Sequence, residues 1–223
     1  MISDPKALNK QQTVVREALK GAMPHEQAIQ LCLRQNAMLH SAKVMPTTSW
    51  SFEDEVLDDL TEPAFRRIPE DEEHSIVWCI WHLARIEDTA MNYLVAGSPP
   101  VFETGKWSGR MGIPFRDAGN EMSEDELITL NTQIDLEALR AYRVAVGRRT
   151  QEIIESLSAE NLKQKVDPAR IQQVLDAGAI KPESSYITDY WGKRDIRGLL
   201  LMPTTRHNIV HLNEAARLKK KRA

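Results

Sequence analysis

Apolar residues recur at three- and four-residue intervals along most of this chain, while the two-residue alternation of a strand is almost absent. That period puts residues i, i+3 and i+4 on one helical face, so the chain must bury itself by packing helix against helix. A leading helix is expected over about residues 5–20, opening at Pro5 with Asp4 as its cap. Longer helices are expected over about 25–44, 72–95, 123–157 and 196–219, with a short one near 168–177. Pro46 and Thr47-Thr48-Ser49 break the first of these, and Gly97-Ser98-Pro99-Pro100 stops the second. Ser123 with Glu126 forms a capping box that starts the third. Between them, the acidic stretch with Pro63 and Pro69 reads as a connector holding one short helix. The stretch with Gly105, Gly109, Gly112 and Gly119 reads as a long ordered loop, a kind that is more often functional than idle. The expected architecture is all-α: a four-helix bundle with an extra short N-terminal helix and long connecting loops.

Composition narrows the function. With 223 residues and 42% hydrophobic content, one domain spanning 1–223 can bury a sizeable core. A net charge of −3 leaves no basic field for nucleic acid. The basic run Lys219-Lys220-Lys221-Arg222 complements the negative end of a terminal helix. Cys32 and Cys79 lie far apart inside apolar patterns, which excludes a CxxC metal site and a disulfide framework and predicts buried free thiols. The segment MISDPKALNKQQ has no apolar signal core, and no apolar run approaches the roughly 20 residues of a membrane helix. A cytoplasmic protein without a membrane or nucleic-acid partner is expected.

The chemistry rests on the histidines, of which there are six: His25, His40, His74, His82, His207 and His211. His207 and His211 stand one turn apart on a face shared with Leu200, Thr204, Glu214, Ala215 and Leu218, opposite Arg206, Asn213 and Arg217. His82 falls on the edge of an apolar arc of Cys79, Leu83, Ile86, Ala90, Tyr93 and Leu94, while Arg85, Asp88 and Asn92 point elsewhere. Three neutral imidazoles on two inward-facing helices can bind zinc or nickel and leave a fourth position open. Taken alone, the spacing is more often that of hydrogen-bonded core histidines. HExxH is absent, because Asn208 follows His207, and a protease of that kind is excluded.

Ser75-Ile-Val-Trp-Cys-Ile-Trp-His82-Leu-Ala-Arg-Ile-Glu-Asp88 resembles the second-helix signature of the DinB/YfiT-like superfamily. Tyr190-Trp191-Gly-Lys, Leu199-Leu200 and Arg206-His207-Asn-Ile-Val-His211-Leu-Asn-Glu214 are similar to its last helix. Met111-Gly112-Ile113-Pro114 and Leu139-Arg-Ala-Tyr142 are also family-like, so the resemblance spans about 25–219, taken as the domain core. It implies a four-helix bundle in which His82, His207 and His211 hold zinc or nickel. Members include thiol-dependent S-transferases and a mycothiol-dependent isomerase, and metal-free members occur.

The expected function is therefore a metal-dependent transferase or hydrolase of a small molecule, working as a homodimer and using a low-molecular-weight thiol if it is an S-transferase. The alternative is a non-catalytic metal-binding or stress-response module acting through dimerisation or protein partners. Glu214 is read as an acceptor for a ligand N–H, as a catalytic acid/base or as a solvated helix-end charge. His40 would close the site as a fourth ligand. Trp78 and Tyr93 are candidates for the pocket mouth, Trp107 for a lid and Arg206 for steering an anion. His25 and His74 are expected at the surface.

Overall fold

A computed structural model describes residues 4–46, 50–70 and 72–221. The break at Thr47, Thr48 and Ser49 and the last basic residue, Arg222, lie outside the described residues. The fold is all-α, and strand pairing among the described residues is confined to one isolated bridge between Lys165 and Asp195. No described helix is long and apolar enough to cross a membrane.

The centre of the molecule is the helix Ile76–Thr89, capped by Ser75, whose hydroxyl accepts from Trp78 N. All 14 of its residues are buried, including Arg85, Glu87 and Asp88. A helix apolar on one stripe would leave its back to solvent; this one is wrapped all round, because its polar residues find partners. Arg85 donates to Arg116 O and to the Tyr142 hydroxyl. Asp88 accepts from Tyr142 and from the backbone N–H groups of Val101 and Phe102. The central helix packs against the long helix Leu136–Ser156 and the terminal helix His207–Lys220, while His25–Met38 packs on the long helix. Its first half enters a core with Trp81, Tyr142 and Leu212, and its second half one with Cys32, Ile154 and Leu200. Each large apolar side chain buried there contributes roughly 1.5–3 kcal/mol. Both cysteines are free and buried, as expected.

Several boundaries depart from expectation. The third helix is two, Glu124–Gln133 and Leu136–Ser156, because the backbone turns extended at Ile134 and Asp135 caps the next. The first long helix ends at Met38, short of 44. The acidic connector holds two short helices, Phe52–Leu57 and Glu62–Arg66. The glycine-rich loop holds Val101–Thr104 and Trp107–Met111. The last helix is interrupted too: Ile196–Leu201 gives way to a π-type turn, Met202–Arg206, before His207. Pro203 has no N–H to donate into the helix and its ring crowds the preceding turn. Hydroxyls of Thr204 and Thr205 cap the carbonyls of Leu200 and Leu201 instead.

Candidate metal centre

His82, His207 and His211 converge. One donor nitrogen from each lies within 4.8 Å of the others, although His82 comes from the central helix and the pair from the terminal one. The Nε2 atoms of His82 and His207 are 3.1 Å apart, close to the roughly 3.3 Å edge of a tetrahedron with Zn–N bonds of about 2.05 Å.

Each element arrives for a traceable reason. His82 Nδ1 donates to Ala118 O at 2.7 Å, which fixes the tautomer and leaves Nε2 as a lone pair facing the other two rings. Ala118 is delivered by a loop fastened to the central helix at successive carbonyls: Arg85 bonds Arg116 O, His82 bonds Ala118 O and Trp78 bonds Gly119 O. That approach needs a residue without a side chain. Gly119 has φ of +84°, and a Cβ there would meet Trp78 Nε1 and Trp81 Cδ1 at 3.1 Å.

His211 Nδ1 donates to Glu214 at 2.7 Å, so its Nε2 is also free. Glu214 accepts a second bond, 3.0 Å long, from His74 Nδ1. Burial by itself would raise this carboxyl, but the bonds from His211 and His74 outweigh it and hold it down to about 2. Glu214 is thus ionised and accepts a hydrogen bond from a candidate ligand. His74 is half-buried, contrary to the expected surface position. Its ring stacks on Trp78, which stacks in turn on His82. His74, Trp78 and His82 stand four residues apart, a signal the sequence carried and the reading missed.

Burial, followed by the proximity of the His211 ring, lowers His82 to about 3. Burial likewise takes His207 well below its usual value, with His82 and His211 adding to the effect. Both are neutral bases near pH 7. His207 Nδ1 is buried without a partner and its Nε2 faces another lone pair, so the cluster has more acceptors than protons. A divalent cation satisfies that donor set. Cys79 also lies near His211 and Glu214, but burial pushes its thiol well up and keeps it protonated.

The other candidates are accounted for. His40 is no fourth member: its Nε2 sits 3.0 Å from Glu87, inside a buried network with Arg143 and Asn208. Trp107 is not a lid, because it is buried against Tyr142 with Arg110 over its face. Arg206 is exposed, as its wheel position required. His25, expected at the surface, is half-buried and bonds Leu157 O at 2.8 Å, outside the three-histidine group.

The three histidines open into a cleft of about 430 Å³ with Trp78, Ile187, Tyr190, Trp191, Met202 and Pro203 in its walls. Tyr93 is not part of it. The helix Ser185–Gly192, which supplies three of these walls, was not expected from periodicity.

A comparison with curated proteins found no match. A family model does match, over residues 48–215, a span that holds all three histidines and the loop that orients His82. With well over half of its length covered, the chain belongs to the DinB superfamily.

Proposed function

We propose that His82, His207 and His211 hold one divalent metal ion, zinc or nickel, and that the protein uses it to transfer or hydrolyse a group on a small molecule. The observation that carries this is the orientation of the rings. Ala118 O and Glu214 each accept a hydrogen bond from an Nδ1–H, turning the Nε2 atoms of His82 and His211 toward His207 at the end of a cleft. With three protein ligands, one coordination position remains for water, a thiol or substrate. A bound ion would supply Lewis acidity to that incoming group.

The protein's own contribution is orientation. Glu214 and Ala118 keep two imidazoles in the ligand tautomer, and Trp78 blocks rotation of His82 by stacking on it. A fourth ligand from His40 would have favoured the alternative, a non-catalytic metal-binding or stress-response module, and that ring is engaged with Glu87 instead.

Metal content by plasma mass spectrometry tests the reading, on protein purified without chelator or affinity tag and beside a His207→Ala/His211→Ala variant. About one metal per chain, lost in the variant, is expected. No metal after incubation with zinc and nickel would end the proposal. Metal without thiol binding or turnover on a broad panel would leave the site non-catalytic.

A further inference from the structure

The cleft in front of the histidines carries no charge among its described lining residues. Beyond the imidazoles it offers apolar and aromatic side chains, two phenols and one amide, Asn120. Its neighbour is opposite in character. A groove of about 670 Å³ shares Trp78, Asn120 and Tyr186 with the cleft and is edged by Glu73, Glu121 and Glu124, and by Glu72, which is paired with Arg217 and Lys221. An anion entering past that rim meets carboxylates first and then walls with no Lys or Arg among the described residues. A cation is attracted to the rim but must shed its hydration to pass the aromatic walls.

From this we propose that the metal cleft selects an uncharged, largely apolar small molecule, aromatic or branched alkyl, whose single polar function meets the metal position. The proposal rests on the metal reading above and adds the substrate class. The volume admits a molecule of one or two rings. Trp191 and Trp78 give flat faces for stacking, and Met202 adapts to irregular shapes. Asn120 Oδ1, buried without a partner at the junction of cleft and groove, accepts a hydrogen bond from a hydroxyl or amide N–H on the same molecule.

The test uses cobalt(II)-loaded full-length protein and reads the thiolate-to-cobalt band. Three probes are titrated: benzyl mercaptan (neutral, aromatic), 2-mercaptosuccinate (dianionic) and cysteamine (cationic). Benzyl mercaptan is expected to bind at least tenfold more tightly than either charged thiol. Equal or tighter binding of a charged one overturns the proposal. Ile187→Lys, on the partly exposed helix of the cleft wall, is expected to narrow the gap for mercaptosuccinate at least fivefold; an unchanged gap would mean the cleft does not seat the ligand. If no cobalt spectrum forms, the metal reading fails by itself. The cleft is then read on metal-free protein by fluorescence titration with 2-naphthol against 2-naphthalenesulfonate. Preference for the neutral probe sustains the inference, and equal binding ends it.

Discussion

Asn208, the residue after His207, donates its Nδ2 to the carboxylate of Glu87 at 2.8 Å, on the helix that carries His82. Arg143 reaches both partners, bonding Glu87 at 2.9 Å and Asn208 Oδ1 at 3.1 Å. The two helices that bring the histidines together are therefore fastened by buried, charge-assisted bonds beside the site. Asn208→Ala would leave Glu87 and Arg143 each short of one bond in the interior. A loss of about 2–3 kcal/mol is expected in urea unfolding, together with weaker metal binding. An unchanged midpoint would show that the network is not what holds the helices in register.

Glu214 orients His211 from outside the ligand set. Its removal, as Glu214→Ala, is expected to lower zinc affinity roughly 10–100-fold while the helix content stays the same. His74→Ala, which leaves the His211 bond in place, should cost less. A larger effect from His74 than from Glu214 would contradict the arrangement.

Acid should unfold the metal-free protein early. His82 is held at about 3 against an ordinary 6.5, so below pH 6.5 the unfolded chain takes up a proton that the folded protein refuses. The unfolded state then binds more protons, and stability falls as pH drops from 6.5 toward 3, with no contribution from this group above that window. His207 acts with the same sign. Glu214, lowered from 4.5 to about 2, adds its own loss below pH 4.5. Melting temperatures of metal-free protein between pH 7.5 and pH 5 are the check, the expectation resting on a buried neutral histidine. A flat profile would mean that the imidazoles are not buried as neutral bases.

Gln12, on the leading helix Pro5–Glu17, donates to Leu201 O at 2.8 Å and to Thr205 Oγ1 at 2.9 Å. Leu201 ends the helix before the π-type turn and Thr205 lies within that turn, which leads into His207; Gln12 itself lies ahead of the matched family span. Gln12→Ala is expected to destabilise the protein by about 1–2 kcal/mol and to speed metal release. Release by a chelator at the wild-type rate would limit the leading helix to a stabilising role.

The identity of the candidate ligands was legible because a helix is a one-dimensional device. Four-residue spacing alone puts His207 and His211 on one face, and the apolar pattern turns that face inward. The same arithmetic placed Arg206, Asn213 and Arg217 in solvent, where they are found. The caps at Asp4 and Ser123 were equally readable, since the side chain that starts a helix sits beside the N–H it satisfies.

Local period could not say what a helix meets. Arg85, Asp88 and Asn92 look like the outer face of an amphipathic helix, yet they are buried, because distant segments bring Arg116 O, Tyr142 and Arg149 to them. His40 and Trp107 could be assigned only once their partners, Glu87 and Tyr142, were in place. The break at Pro203 was visible in the sequence, but not that the hydroxyls of Thr204 and Thr205 and the amide of Gln12 take up the carbonyls of Leu200 and Leu201 around the π-type turn. The sequence by itself determined which side chains share a helical face. Tertiary structure decided which faces meet, since burying a polar group or aligning a lone pair depends on partners more than a hundred residues away.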